Sequence, residues 1–492
     1  MTLIDTSTGL PAQLRTAIAA HADAGRVAFV DHTDGTVGYA EFGRLVDAHA
    51  GAAHAAGVRR GDVVGIAGTK SVETVATFFG VLQAGGCPCF LEPRLEDDGV
   101  VQRLTIVGMR KLVDPEGTLP AATLSAAGIE VLRVDGTADA YLDDTVPGDD
   151  RAMMLFTSGS TGQPKGVLLS HTNMATNAAG VWQHTRVTPD DRLLHLMPLH
   201  HTNGVNNQLV VPLLAGATMV LIPRFRAADA VEQLRTFRPT YVTGVPTMYN
   251  RMLPHVEASD SFPYLRFLRC GSAPITVAEH ERIESAFGVP LVVSYGLSEA
   301  TCTSTMNPPD DRRVGTVGTV LAGQRVALFH PDTDEEVPVG ATGEIRISGP
   351  ALMQGYLGTD VEQPVRNGWL RTGDLDTFDA DGYLTITGRL KDVIIRGGEN
   401  LSPAVIEGEL VAHPAVRECC VVGRPDADLG EVPVAFVAFH GDQQPSEHEL
   451  QELVHTRLSR VYAPAAVTVV DRLPTNGVGK VDRTALRRLA LD

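Results

Sequence analysis

Lysine, long apolar runs and patterned cysteines are what this sequence lacks. Only five of its 492 residues are lysine (Lys70, Lys111, Lys165, Lys391 and Lys480), so 36 of the 41 basic residues are arginine. A coding bias toward arginine and alanine accounts for the scarcity. A lysine that persists against that bias marks a place where a compact, flexible ammonium serves better than a planar guanidinium. No apolar stretch reaches the roughly 18 residues of a membrane span, and no cationic segment followed by an apolar one opens the chain. No membrane partner is therefore expected. The six cysteines (Cys87, Cys89, Cys270, Cys302, Cys419 and Cys420) show neither metal nor redox spacing and read as buried thiols of a reducing cytoplasm. Positive charge is in deficit too: a net charge of −18 argues against unspecific nucleic-acid binding, while leaving room for a local basic pocket. Internal repeats and low-complexity tracts are absent.

What is present describes an ordinary globular protein, 43 % hydrophobic and 20 % charged, long enough for roughly three domain-sized units. Val63 to Ala67 reads as a buried strand, and 71–84 as a helix closed by Gly85 and Gly86. Strands are predicted near 193–197, 218–222, 240–244 and 290–294, and helices near 172–182, 227–236 and 276–286. From 152 to 294 that alternation indicates parallel sheets in an α/β fold. Between about 315 and 388, short strands with Gly, Pro and Asp turns predict a small β-rich unit. The remainder mixes strands (419–422, 432–439) with helices (403–411, 446–459).

The chain is organised around residues 155–171, where an apolar run stops at a loop of hydroxyls and glycines carrying one lysine, and a second apolar run follows. Gly159, Gly162 and Gly166 let backbone N–H groups converge on an anion, which side chains there would obstruct. Thr157, Ser158, Ser160 and Thr161 add hydroxyl donors, and Lys165 adds a point charge. This layout grips phosphate, yet it is not a Walker A loop, because Gly166 follows Lys165 where that motif needs Ser or Thr.

Four further groups carry chemistry. Ser294-Tyr295-Gly296-Leu297-Ser298-Glu299 follows a predicted strand, and the carboxyl end of such a strand is where open α/β sheets bind ligands. Tyr295 suits stacking on a flat base, and Glu299 suits a divalent cation. Thr372-Gly373-Asp374 offers a carboxylate that can accept from both hydroxyls of a ribose; alone, it is a routine turn. Arg389 and Lys391 sit in Gly388-Arg389-Leu390-Lys391-Asp392, with Gly397 and Gly398 shortly after. Asn476-Gly477-Val478-Gly479-Lys480 presents a lysine just before a closing helix.

In this order, the five groups resemble the acyl-adenylating superfamily of acyl-CoA synthetases, nonribosomal peptide adenylation domains and beetle luciferases. The likeness runs from about residue 25 to 488. It implies an N-terminal AMP-binding domain, 1–390, of two stacked α/β lobes plus the small β unit. A mobile α+β C-terminal domain, 391–492, would turn on a hinge at Lys391. Motif by motif, Thr157 to Lys165 would hold the ATP phosphates. Gly271-Ser272-Ala273-Pro274 would border adenine and the acyl pocket, and Tyr295, after Ser294 and before Gly296, would stack on adenine. Ser298 keeps a hydroxyl where the family usually has threonine. Glu299 would bind Mg²⁺, Asp374 and Arg389 the ribose, and Lys480 would be the catalytic lysine. Gly398 would belong to a second face shown to the thiol. The family's Pro-x-Glu-x-Glu is here Pro403-Ala404-Val405-Ile406-Glu407, without its first Glu.

The resemblance implies ATP-dependent activation of a carboxylic acid to an acyl-adenylate with release of pyrophosphate, then acyl transfer to a thiol. Thr157, Glu299, His201 and Lys480 are the residues expected nearest the reacting groups. Met197-Pro198-Leu199-His200-His201 matches the pocket-entry motif; His201 matches a histidine of acyl- and aryl-CoA synthetases, and His200 replaces the usual aromatic residue. No Asp stands nearby to pair with a substrate ammonium, which argues against an α-amino acid. Val205, Val245, Gly271 and Tyr295 as pocket walls favour a mostly apolar acyl or aryl acid; Arg224 and Arg226 would suit a second carboxylate but read first as exposed strand-end residues. The chain stops soon after Arg483, so the expected acceptor is free: coenzyme A first, a separate carrier protein second. A cytoplasmic monomer or homodimer with no nucleic-acid partner is expected.

Overall fold

The computed structural model describes residues 8–31, 35–93, 97–136, 138–158, 164–358, 363–441, 444–475 and 481–491. Apolar strands of about four residues, each followed by a helix, assemble two parallel sheets. The larger orders Leu291–Tyr295, Phe267–Cys270, Tyr241–Gly244, Arg192–His195, Thr218–Leu221 and Val27–Asp31 side by side in parallel, with antiparallel strands at both edges. The smaller pairs Cys87–Phe90, Val63–Ile66, Lys111–Val113 and Glu130–Leu132, also in parallel. One core joins them: Ile66 and Phe90 of the small sheet and Leu193 and Met219 of the large one belong to a single buried cluster with Phe78 and Phe79 of the helix Val72–Gln83. These are the two expected lobes.

Local chemistry sets the helix ends. Ser71 accepts the Thr74 N–H at 3.1 Å to start Val72–Gln83. Reciprocal capping boxes start His171–Thr185 (Ser170 with Asn173) and Val277–Phe287 (Thr276 with Glu279). These bounds lie within a few residues of the predicted ones.

One expectation is corrected. Residues 152–170 do not continue the parallel pattern; Arg151–Ser158 and Pro164–Ser170 form an antiparallel hairpin, and Gly355–Leu357 adds a third strand. The polar loop is too short for a crossover helix, so the second apolar run returns beside the first. The β-rich unit appears as an antiparallel sheet of Arg325–Phe329, Gly343–Ser348, Trp369–Phe378, Val365–Arg366 and Leu384–Arg389. A small C-terminal domain follows. Its sheet is built on Val416–Asp426 and Gly430–Phe439, and its core clusters draw only on residues from Ile394 onward. The six cysteines are free, and among the described residues no helix is long and apolar enough to cross a membrane.

Candidate active site

Around the carboxyl end of the strand Leu291–Tyr295, the Ser294–Glu299 segment meets Asp374 and Arg389 of the small antiparallel sheet and, through Tyr356, Lys165 of the hairpin. Tyr295 closes its strand, and its hydroxyl donates to Asp374 Oδ2 at 2.7 Å. Arg389 Nε lies 2.6 Å from Asp374 Oδ1, because Asp374 and Arg389 are opposed across neighbouring strands. Asp374 is 2 % exposed, yet it carries one donor on each oxygen and keeps acceptor capacity on both. Its turn is built to hold it. The Thr372 hydroxyl accepts from the Asp374 N–H and donates to the Ile345 carbonyl, and Gly373 takes φ +70°. Beneath it, buried Glu344 is paired with Arg346 and Arg371 at 3.0 and 3.1 Å. Burial, and then the Asp374 charge, push the Tyr295 phenol well above its ordinary value, so it stays a donor.

Glu299 follows on a one-turn helix, Ser298–Ala300, with Ser298 and Glu299 both half-buried. Glu299 Oε1 accepts from Tyr356 at 2.6 Å, and among the described residues no donor reaches its other oxygen. Tyr356 sits on the third strand of the hairpin sheet, and the Lys165 ammonium lies 4.9 Å from its ring centroid. Thr157 is the cross-strand partner of Lys165. Tyr356 thus links the hairpin to Glu299. It was not found from sequence, because an aromatic in a short Gly-Tyr-Leu-Gly segment carries no signal of the strand it will join.

Two glycines are required by close backbone approach. A Cβ on Gly296 would lie 2.1 Å from the Cys302 carbonyl oxygen, and one on Gly271 would lie 2.8 Å from Ser294 Oγ. Ser272, Thr301 and Cys302 take positive φ (67°, 64° and 128°) in the same two loops, backbone strain of the kind that gathers at functional sites. Ser272 and Pro274 are exposed and Ala273 half-exposed, so the segment forms a rim.

The pocket-entry histidines lie with ring centroids 4.3 Å apart. Burial lowers His200 to about 3, helped by repulsion from His201, Arg103 and Lys70. Arg224 and Arg226 are exposed, as expected.

Other motif residues are not gathered here. Gly159, Ser160, Thr161, Gly162 and Lys480 lie outside the described residues. The Lys391 side chain is exposed, and Gly398 is an exposed glycine at the turn between Ile394–Arg396 and Glu399–Leu401. Glu407 is spent on packing: it pairs with Arg483 at 2.8 Å and accepts the Val421 N–H at 2.7 Å.

Buried histidines give the fold a pH dependence. Burial lowers His171 to about 4, and burial and the Lys70 charge lower His195 to about 3. The fold therefore favours their neutral forms. Their stability is fully present above the unfolded value near 6.5 and is lost as pH falls toward those values, by roughly 2–3 kcal/mol each at pH 4.5. Asp376, pushed up to about 8 by burial, works in the opposite sense: its contribution is present at low pH and lost as pH rises through 8. Denaturant midpoints are expected to fall from pH 6.5 to 4.5, and more steeply in Asp376→Asn; flat midpoints would contradict this.

A parallel sheet that ends in polar turns at its carboxyl edge, with a buried carboxylate held open there, is the architecture of an α/β ligand-binding enzyme. The family described as AMP-binding enzyme matches residues 16–357, and the one described as AMP-binding enzyme C-terminal domain matches residues 405–480. The chain belongs to this family. It is 36% identical over 471 residues to a feruloyl-CoA synthase of an Amycolatopsis species, covering 93% of this chain and 95% of that one. It is 33% identical over 479 residues to an indoleacetate–CoA ligase of Aromatoleum aromaticum, covering 92% of each. ATP-bound MatB from Rhodopseudomonas palustris superimposes with a TM-score of 0.88 at 32% identity, over 97% of this chain and 99% of that one.

Proposed function

We propose that this chain is an AMP-forming acid–thiol ligase, which activates a carboxylic acid with ATP and passes the acyl group to coenzyme A. The observation that carries the reading is the Tyr295–Asp374–Arg389 group, a buried carboxylate positioned by two donors with lone pairs to spare for a ribose. Lys165 and the loop before it hold the β- and γ-phosphates. Glu299 has the free oxygen that fits Mg²⁺, which commonly takes one or two carboxylates plus phosphate oxygens and water. When bound, the ion draws charge from the phosphates.

A carboxylate is a poor acyl donor, because expelling oxide from it is prohibitive. Its oxygen attacks the α-phosphorus, the bond to the β-phosphate bridging oxygen breaks, and pyrophosphate leaves with the electron pair. Negative charge grows between the attacking oxygen and the phosphate, and Lys480 stabilises it. A thiol sulfur then attacks the acyl carbon, its proton is lost, and AMP departs. Lys480 has no role in that step. The C-terminal domain, 391–492, turns about Lys391 to bring up Gly398. That boundary is supported by Arg487 of the last helix, which holds Asp392 at 2.8 Å and the Lys391 carbonyl at 3.2 Å, so both residues travel with the C-terminal unit. The substrate is an acyl or aryl acid other than an α-amino acid, and the protein works in the cytoplasm.

Pyrophosphate release over a panel of carboxylic acids, with and without coenzyme A, tests this. Acid-dependent release and an acyl-CoA product are expected. No release with any acid would count against the reading, and acyl-AMP accumulating despite coenzyme A would transfer the acceptor role to a free carrier protein.

A further inference from the structure

A buried arginine lies next to the Gly271 segment with no carboxylate partner among the described residues. Arg269 is 3 % exposed on the strand Phe267–Cys270, two residues before Gly271. Its Nη2 donates to Thr303 Oγ1 at 2.6 Å, and with the Asn207 amide in the orientation that satisfies it, the Asn207 side-chain oxygen accepts from Nη2 at 3.1 Å and from Nη1 at 3.2 Å. Both partners are neutral. Nε is buried with no partner, and no carboxylate among the described residues is within ion-pair distance. Arg266, nearby, shows how this protein compensates a cation when structure alone is served: it pairs with Asp191 at 2.7 Å.

The surroundings are equally unusual. Asn207 belongs to a π-helix, Asn203–Val210, that begins two residues after His201; such helices favour functional sites. Around Thr303 the polar groups are amides, with Asn177 and Gln324 both donating to its carbonyl. Buried oxygens of Asn206, Gln208 and Gln324 have no partner, so this network is only partly satisfied. Burying an unpaired charge and leaving buried polar atoms orphaned are both costly, and a fold keeps such a group where a ligand completes it.

Resting on the ligase reading above, we infer that the substrate carries a second anionic group, distal to the reacting carboxylate, and that Arg269 recognises it. Arg269 leads directly into Gly271, the glycine packed against Ser294, and its guanidinium meets Thr303 and Asn207, which lie beside the Cys302 carbonyl that backs Gly296 and on the helix that follows His201. A distal anion would accept from Nε–H and from the one Nη1–H that the neutral partners leave, giving charge-assisted bonds in a desolvated setting. The reading of a mostly apolar pocket thus gains a charged far end.

Matched acids test this by pyrophosphate release: 4-carboxycinnamate against 4-methylcinnamate, and octanedioate against octanoate. Wild type is expected to favour the dianionic member by on the order of 10²-fold or more in kcat/KM, because a site built for a polar group rejects its absence. Arg269→Met reverses the preference, chiefly through KM for the acid, and Arg269→Lys retains part of it. Wild-type preference for the neutral members overturns the inference while leaving the ligase reading intact. Turnover with no acid at all overturns both. Equal loss of both acids in Arg269→Met, with a lowered melting temperature and no preference in wild type, marks the arginine as structural and overturns the inference alone.

Discussion

Lys480→Ala is expected to lose acyl-adenylate formation by on the order of 10²–10³ in rate, yet still convert supplied acyl-AMP and coenzyme A to the thioester. The asymmetry follows from where charge develops. In the first step a carboxylate approaches a phosphate, two anions that repel until a cation bridges them. In the second, a thiol attacks an already activated carbonyl and AMP leaves as a stable anion, so no new charge needs that ammonium. On this proposal Lys165 does not substitute, because it sits on the hairpin over the Tyr356 ring and is assigned to the leaving phosphates. Single-turnover measurements of the two half-reactions check this; comparable loss in both would refute a lysine confined to adenylation.

Asp374→Asn is expected to raise KM for ATP and lower kcat/KM for ATP by on the order of 10²–10³, with a smaller change in kcat at saturating ATP. Each Asp374 oxygen faces a donor, Tyr295 on one and Arg389 on the other. An asparagine must turn its NH₂ toward one of them, whichever way it flips. It loses the charge, sets its NH₂ against one of the two donors and leaves fewer lone pairs for the ribose. Hydrogen bonds to a charged acceptor are worth about 1.5–3 kcal/mol each, so weakening the two ribose contacts accounts for that range. Initial-rate kinetics with varied ATP decide it, and an unchanged KM would remove Asp374 from the ribose site.

Much of the fold was legible because its signals are local. Four-residue apolar strands, Ser and Thr caps and Gly stops depend on neighbours in sequence, and they placed strands such as Tyr241–Gly244 and helices such as Val277–Phe287 within a residue or two. The hairpin Arg151–Ser158 and Pro164–Ser170 was misread as part of the parallel pattern, because strand direction is a property of pairing and not of composition. Tyr356 escaped notice for the same reason: its hydroxyl reaches Glu299, 57 positions away in the chain. Arg269 looked like one more arginine in a sequence full of them, and only burial without a counter-charge set it apart.

By itself the sequence determined the family, through a hydroxyl- and glycine-rich loop with Lys165, a tyrosine after a strand, a Thr-Gly-Asp turn and a late lysine, in an order that resembles one superfamily. Those are questions of residue type and spacing along one chain. Tertiary structure decided which lone pairs stay free, that Arg269 is buried with no carboxylate partner among the described residues, and that Glu299, Tyr356 and Lys165 form one group. These depend on distances between segments far apart in sequence and on the loss of water around them, and neither quantity is written in any local stretch of residues.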